Sequence, residues 1–269
     1  MTLIVLPANP MQMPNLTATV YRTLAYTASA VAVLAVAVPA FAQSVPKLLT
    51  MGTATDYPPF EYRASDSGEI IGFDVALAKY ISQRLGYNLK LQDLAFVKVI
   101  PALQAGKLDF AAAAITPTPE RRQKVDFSEA YFESRNTIAA RQGANLKTLA
   151  DLSDRRVGVQ DGSIQEEQMQ KLAATAQELR VVRFKRLPDL ISAIKAKKVD
   201  AAIIEDTVVA TYIADHPELE FNVISNQEPV TFAIAFPKGS PLVDDFNRII
   251  QEMKDSGELD RLVRQWFNR

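Results

Sequence analysis

The sequence predicts an α/β protein with two similar lobes, each built around a doubly wound parallel sheet. The first observation is an internal repeat: residues 102–112 (ALQAGKLDFAA) are matched 91 residues later by residues 193–203 (AIKAKKVDAAI). Each copy has the pattern of a helix end, a short turn and a buried strand. The second observation is the order strand-helix-strand-helix-strand around each copy, which is the order of a parallel doubly wound unit.

The first unit opens with an apolar strand and a loop whose two adjacent prolines exclude a regular helix or a central strand. Asp74 is predicted to cap the next helix, because the apolar positions that follow share one face and Gly86 stands at its end. The predicted elements are a strand at 48–53, a loop at 57–60, a turn at 66–68, a helix at 75–85, a strand at 89–94, a helix at 97–105 and a strand at 109–115.

The second unit repeats this order from Val157 onward. Its predicted strands are 157–160, 181–184 and 200–204. One predicted helix begins at 161–163, and two further helices cover 187–196 and 207–214. Two further apolar, strand-like segments, 136–141 and 230–236, are well placed to form a two-strand hinge between the lobes. Two C-terminal helices, 241–254 and 258–267, are expected to return to the first lobe.

These elements divide the chain into a discontinuous first lobe, 43–139 and 233–269, and a continuous second lobe, 140–232. The strand that ends each repeat runs into polar residues, and their charges are opposite. Arg121 follows the first copy, whereas Glu205 and Asp206 follow the second. A cation from one lobe and an anion from the other predict a cleft for a small zwitterion.

The composition excludes most enzyme classes. The chain has 269 residues, 48% hydrophobic and 23% charged, which is enough apolar content for a sizeable core. Its net charge of −1 gives no reason to expect a nucleic-acid partner. It has no cysteine and one histidine, His216, in a segment that reads as a helix end and a surface turn. Disulfides, thiol nucleophiles, zinc clusters and Ser-His-Asp catalysis are therefore excluded, and no metal or cofactor is expected.

The N-terminus reads as a secretory signal peptide, residues 1–42. Residues 24–38 form a run of 15 mostly small or apolar residues, and Ala40-Phe41-Ala42 follows as a cleavage motif. Cleavage is predicted after Ala42. The alternative is a membrane anchor, but the run is shorter than the roughly 20 residues that span a bilayer.

Translation has three candidate starts, Met1, Met11 and Met13, because the first ten residues contain two prolines and no basic residue. With no cysteine after the signal peptide, a lipid anchor at that position is impossible. An exported, disulfide-free product fits the bacterial periplasm best.

Short motifs from residue 48 to residue 267 carry a resemblance to a known family. They are YPPFEY at 57–62, IGFDVALA at 71–78, IPAL at 100–103, TPTPERR at 116–122, VDFS at 125–128 and VGVQDGS at 157–163. In this order the chain resembles the periplasmic binding proteins for polar amino acids, the soluble components of ABC importers. It is also similar to the ligand-binding core of ionotropic glutamate receptors. The resemblance implies a two-lobed, type II periplasmic binding protein whose lobes are joined by a two-strand hinge.

The resemblance implies that Arg121 holds the α-carboxylate of the ligand. A guanidinium fork matches a carboxylate bidentately and stays charged at neutral pH. Thr116 lies at the end of the third strand, where ligands of open parallel sheets bind, and by resemblance it contacts the ligand together with the backbone of Ala114. Ser163 and Ile164 form a helix start whose N–H groups can share the carboxylate. The alternatives are a surface ion pair for Arg121, a structural role for Thr116 and a plain helix cap for Ser163.

The same resemblance assigns the α-ammonium group of the ligand to Glu205, with Asp206 as the alternative after a small shift in register. Tyr57 and Phe96 resemble two aromatic walls that sandwich the ligand side chain, although both could be simple core aromatics. Ala54 stands where relatives that select basic ligands often have an acid. Asp56, Glu166 or Gln165 could compensate, and the expected ligand is glutamine first and glutamate second.

The resemblance implies capture of the ligand by hinge closure and its delivery to the membrane subunits of an ABC importer. We expect a monomer. One alternative is a periplasmic cyclohexadienyl or arogenate dehydratase on the same fold, since a fold does not determine a function. A second alternative is a sensory or glycan-processing role, in which this fold is one domain of a longer chain.

Overall fold

The computed structural model describes residues 47–176, 178–213, 215–225 and 227–267. The predicted signal peptide, residues 1–42, lies outside these ranges. The described strands form two five-stranded sheets and one small three-stranded sheet, which confirms the predicted two-lobed α/β architecture. Within these ranges, none of the helices combines the length and the apolar content needed to cross a membrane.

Strands and helices alternate along most of the described chain. In chain order the strands are β1 (Lys47–Thr53), β2 (Asp56–Tyr57), β3 (Glu61–Arg63), β4 (Ile70–Ile71), β5 (Tyr87–Asp93), β6 (Phe110–Ala111), β7 (Asp126–Ser134), β8 (Asn136–Arg141), β9 (Arg156–Gln160), β10 (Arg180–Phe184), β11 (Ala201–Glu205), β12 (Leu219–Val223) and β13 (Val230–Phe236). The helices are α1 (Phe73–Arg84), α2 (Phe96–Gln104), α3 (Pro119–Arg122), α4 (Ile164–Ala173), α5 (Leu187–Lys195), α6 (Asp206–Ile213), α7 (Leu242–Asp255) and α8 (Glu258–Phe267), and a short 3₁₀ helix covers Leu149–Leu152.

Both large sheets are built around three parallel strands in the same spatial order. The order is β5-β1-β6 in the first sheet and β10-β9-β11 in the second, with a crossover helix between successive strands. This is the predicted doubly wound unit, present twice. Two antiparallel strands extend each sheet, β13 and β7 in the first and β8 and β12 in the second. The sheets are therefore mixed rather than purely parallel.

The two segments predicted to join the lobes are β8 and β13. β8 lies between β11 and β12, and β13 lies between β6 and β7, so each is hydrogen-bonded within one sheet. The chain changes sheet immediately before each of them, at Arg135 and between Val223 and Val230. The predicted lobe boundaries at 139/140 and 232/233 therefore fall inside strands.

The internal repeat has the same structural basis in both copies. Gly106 and Lys197 both adopt a positive φ, 65° and 59°, directly after helices α2 and α5. The next N–H returns to the helix in each case, from Lys107 to Ala102 O at 3.0 Å and from Lys198 to Ala193 O at 2.9 Å. Both helices thus end in the left-handed turn that usually carries glycine.

This comparison predicts that Lys197→Gly stabilises the protein. Lysine in the left-handed region is strained, whereas glycine adopts it freely, so the free energy of unfolding should rise by about 0.5–1 kcal/mol. Urea denaturation measures the change. Lys198→Gly is the control: its φ is not positive, and the same substitution should lower the stability. A lower stability in Lys197→Gly would contradict the prediction.

Two local predictions at the start of the site are wrong. The strand predicted at 109–115 is regular only in β6, because Ala114 has a φ of 46°, outside strand geometry. Asp74 does not cap α1: Gly72 holds the N-cap position, and Asp74 lies in the first turn with its side chain buried. Its carboxylate accepts hydrogen bonds from two distant partners, Ala114 N–H and the Tyr131 hydroxyl, both at 2.8 Å.

A cluster of aromatic rings holds the proline loop against the first sheet. Phe60, at the end of this loop, packs edge-on against Phe132 of β7, Phe232 of β13 and Phe267 of α8, with ring centroids 5.0–5.2 Å apart. The contact with Phe267 places the C-terminal helix on the first sheet. Such buried aromatic pairs stabilise the fold beyond simple area burial, and this cluster anchors the residues on either side of Phe60.

Candidate ligand-binding site

A cavity lies between the two large sheets, beyond the ends of their parallel strands. Eight of the ten predicted site residues line it. Those from the first half are Tyr57, Phe96, Ala114, Thr116 and Arg121, and those from the second half are Ser163, Ile164 and Glu205. This is the position at which open α/β sheets bind ligands.

The other two predicted residues, Asp56 and Asp206, do not line this cavity. The Asp56 carboxylate accepts the N–H of Leu187 at 3.0 Å and faces Arg186, so it joins the two halves; burial raises its pKa to about 6. The Asp206 carboxylate accepts the Ser134 hydroxyl and the Thr207 N–H, both at 2.7 Å, at the start of α6. Both side chains thus have local partners that hold them away from the cavity.

Arg121 is the cation of the cavity, and its position follows from the short helix α3. Thr118 caps this helix by accepting the Arg121 N–H at 3.2 Å. The guanidinium donates to Thr116 O at 2.9 Å and to Gly162 O at 3.0 Å, so it bridges the two halves. It also lies over the Phe96 ring, 5.5 Å from the centroid. Burial lowers its pKa to about 10, which leaves it charged at neutral pH.

Glu205 ends strand β11 and is buried in the opposite wall. Its Oε1 accepts the Gln165 side-chain N–H at 2.7 Å, and its Oε2 accepts the Tyr57 hydroxyl. The same Gln165 amide donates to Asn136 Oδ1 at 2.9 Å, which holds it in place. Burial raises the pKa of Glu205, while these donors oppose the rise. Gln165, considered from the sequence only as a compensating residue, thus orients the carboxylate.

Ser163 and Glu166 organise the start of helix α4. The Ser163 hydroxyl accepts the Glu166 N–H at 3.1 Å, as an N-cap does, and the Glu166 carboxylate accepts the Gly162 N–H at 2.7 Å. Glu166 also accepts the side-chain N–H of Gln170 at 2.6 Å. This carboxylate is therefore committed to its own helix and does not compensate for Ala54, whereas Ser163 both caps the helix and lines the cavity.

Glu61 is the acidic residue of the cavity wall that the sequence reasoning missed. It follows the proline loop, lines the cavity and is only 1% exposed. Neither of its carboxylate oxygens meets an N–H or O–H donor in the described part of the chain. Burial and the nearby Asp74 carboxyl raise its pKa well above the usual range. The sequence did contain a sign of this role, because Glu61 directly follows four apolar or aromatic loop residues. An acid in such a segment is expected to be buried, and a buried charge needs a partner.

The charges of the wall are unequal. Among the described residues, one guanidinium, that of Arg121, faces the cavity together with two carboxyl groups, those of Glu61 and Glu205. Within the described ranges, no group of three or more His, Cys, Asp or Glu side chains is arranged to hold a metal ion. The arrangement can therefore complement a small organic ligand with one anionic group and more than one cationic group.

The comparisons with known proteins agree with this geometry. The family described as bacterial extracellular solute-binding proteins, family 3, matches residues 49–269. The chain is 41% identical over 227 residues to the arginine-binding extracellular protein ArtP of Bacillus subtilis (strain 168), covering 84% of this chain and 88% of that protein.

Two solved structures have the same fold over most of their length. One is described as an ancestral arginine-binding protein bound to arginine; it has a TM-score of 0.78 and 34% identity, covering 82% of this chain and 98% of that one. The other is described as an ancestral arginine-binding protein bound to glutamine. It has a TM-score of 0.77 and 34% identity, covering 84% of this chain and 100% of that one. With its two-sheet fold, its cavity and these matches, the chain belongs to the bacterial extracellular solute-binding proteins, family 3.

Proposed function

We propose that this protein captures a cationic L-amino acid, arginine foremost, and delivers it to the membrane subunits of an ABC importer. Membership of a solute-binding family makes it a binding protein rather than the dehydratase considered above. Arg121 holds the α-carboxylate of the ligand, Glu205 the α-ammonium group and Glu61 the cation of the side chain. Each charge of the ligand then meets an opposite charge in a cavity that excludes water.

The observation that carries this proposal is the buried Glu61 carboxyl without a donor. A buried carboxylate is costly unless it is paired, and a guanidinium supplies the donors that it needs. Glutamine or glutamate was expected from the sequence because Ala54 offers no negative charge for a basic side chain. Glu61 supplies that charge from a different strand, and a glutamate side chain would meet it as a like charge. The curated relative named as an arginine-binding protein and the solved structure described as bound to arginine support the same ligand.

Closure of the two lobes accompanies binding. Arg121 contacts Gly162, Asp56 contacts Leu187, and Tyr57 contacts Glu205, so three residues of the first half hold the second. We place the lobe boundaries at the two changes of sheet, which gives a second lobe from β8 to β12. The mature protein acts as a monomer in the periplasm after cleavage behind Ala42, a position outside the described residues.

Isothermal titration with arginine and citrulline tests the proposal. Citrulline has nearly the same shape as arginine but an uncharged side-chain end. We expect arginine to bind at least about tenfold more tightly, which corresponds to ~1.4 kcal/mol, because only arginine pairs with Glu61. Glu61→Gln should reduce this preference while citrulline binding stays similar. Citrulline or glutamine binding as tightly as arginine would contradict the proposal, and prephenate serves as a non-ligand control.

A further inference from the structure

The IGFD motif of the sequence brings a second carboxyl group against Glu61. Gly72 packs against the proline loop so closely that a Cβ on it would lie 2.1 Å from Phe60 O. The next two N–H groups, of Phe73 and Asp74, donate to Pro59 O and Phe60 O, each at 2.9 Å. These contacts tie the first turn of α1 to the residues before Glu61. The side chain of Asp74 is therefore brought close to that of Glu61.

The carboxyl groups of Asp74 and Glu61 lie close enough for each to shift the pKa of the other. Asp74 is 0% exposed, and its Oδ2 accepts the Ala114 N–H and the Tyr131 hydroxyl. Its Oδ1 and both oxygens of Glu61 meet no N–H or O–H donor among the described residues. Two carboxylates in contact repel each other, whereas one proton between them makes the contact favourable.

We propose that Asp74 is a positioning residue that shares one proton with Glu61, so that the pair presents a single negative charge to the ligand side chain. The ligand part of this inference rests on the proposed function. A hydrogen bond through this shared proton aims the Glu61 carboxyl group into the cavity that it lines. The IGFD motif thus determines where the Glu61 carboxyl group points and which net charge Glu61 and Asp74 together present to the ligand.

The surroundings favour one proton on the pair. The titratable groups whose charge acts on the pair are Asp56 and Tyr57 from β2, Tyr131 from β7 and Glu205 from β11. Burial raises the pKa of both carboxyl groups, and the charge of Asp74 raises that of Glu61 further. The two donors on its Oδ2 stabilise the charge on Asp74, so Glu61 carries the proton in the empty site.

Binding of the ligand cation moves this proton within the pair. The O–H bond of Glu61 breaks, an O–H bond forms at Asp74 Oδ1, and the negative charge passes to Glu61 beside the cation. No proton leaves for solvent. The pair and the side chain of the ligand then have no net charge, which is the favourable state in a closed, water-excluding cavity.

Infrared spectroscopy of the ligand-free protein at neutral pH tests the shared proton directly. A protonated carboxyl has a C=O stretch that is separate from that of a carboxylate. We expect this band in the wild-type protein and its loss in Glu61→Gln, because the amide introduced by this substitution would donate to Asp74 and keep it ionised. The difference between the two spectra removes contributions from Asp56 and Glu205. A wild-type spectrum identical to that of Glu61→Gln would overturn the proposal.

The ratio of arginine to citrulline affinity tests the positioning role. Asp74→Leu removes the partner of Glu61, and we expect the ratio to fall about tenfold. Asp74→Asn should restore it to within about threefold, because its oxygen accepts from Ala114 and its N–H donates to Glu61. An equal loss for both ligands in Asp74→Leu would indicate a purely structural role and overturn the proposal. So would a tenfold loss of the ratio in Asp74→Asn, which would mean that both carboxyl groups are ionised.

The two experiments separate this inference from the proposed function. The infrared band is measured without any ligand. If arginine does not bind to the wild-type protein but the band is present, the proposed ligand is wrong and the shared proton stands. If arginine binds and the band is absent, the proposed function stands and the shared proton is wrong.

Discussion

Arg121→Ala is expected to weaken the binding of amino acids by about 30-fold or more. Arg121 is the cation that faces the cavity, and removing it leaves the carboxylate of a ligand buried without a partner. Truncating one member of a buried charge pair costs about 2–5 kcal/mol, which is roughly a 30- to several-thousandfold loss of affinity. Isothermal titration with arginine measures the loss, and it should be equally large for citrulline, which has the same carboxylate.

The neighbouring Arg122 offers a matched control. Its Nε donates to Pro117 O at 3.2 Å and its guanidinium lies over the Phe127 ring, 5.4 Å from the centroid, rather than in the cavity wall. Arg122→Ala removes the same charge from the same short helix and should leave the affinity within about threefold. An arginine affinity of Arg121→Ala within about threefold of the wild-type value, or an equal loss in both variants, would exclude Arg121 as the carboxylate ligand.

Glu205→Gln is expected to have the second largest effect. It removes the charge that we propose to hold the α-ammonium group, and it places a new side-chain amide against the amide of Gln165. We again expect a loss of about 2–5 kcal/mol for a buried charge pair. Because every amino acid has an α-ammonium group, arginine and citrulline should lose the same factor in calorimetry. A change in their ratio would instead place Glu205 at the side-chain end of the ligand.

The pH dependence of binding follows from the same residue. Burial raises the pKa of Glu205, so it loses its charge at a higher pH than an exposed glutamate does. The ammonium group pairs with the ionised form, and the affinity should therefore fall as the pH falls toward this pKa. In Glu205→Gln this contribution should disappear. Asp206→Asn is the control: it weakens the start of α6 and lowers the melting temperature, but it should leave the affinity unchanged.

Local patterns were sufficient for much of the fold. The helices around 75–85, 97–105 and 187–196 were predicted to within about two residues of α1, α2 and α5, because apolar spacing and helix-ending residues lie within one segment. The repeat also identified two equivalent units. β7 was not predicted as a strand, although it is one of the longest. Its sequence, DFSEAYFES, has an irregular burial pattern, and its register with β13 shifts twice, so strict alternation is absent.

Side-chain direction was the part that local patterns left undecided. Glu205 and Asp206 are adjacent, and the sequence offered either as the ammonium ligand. The structure separates them because β11 ends at Glu205, facing the cavity, whereas Asp206 begins α6 and bonds to Ser134. Asp56 was placed in the site as an acid that could compensate for Ala54. It points the opposite way from the next residue because successive residues of a strand face opposite sides.

The sequence by itself determined the class of the fold, its two similar units, the cavity between them and the family, since these depend on periodicity and on ordered motifs along the chain. It also identified Arg121 as the cation of the cavity and narrowed the anion to Glu205 or Asp206. Only the tertiary structure decided that Glu61 joins them and that Asp74 lies against it. The reason is physical: the charge of a buried carboxyl group depends on which donors and which other carboxyl groups surround it. For Asp74 these are Ala114, Tyr131 and Glu61, which the fold brings together from distant parts of the chain.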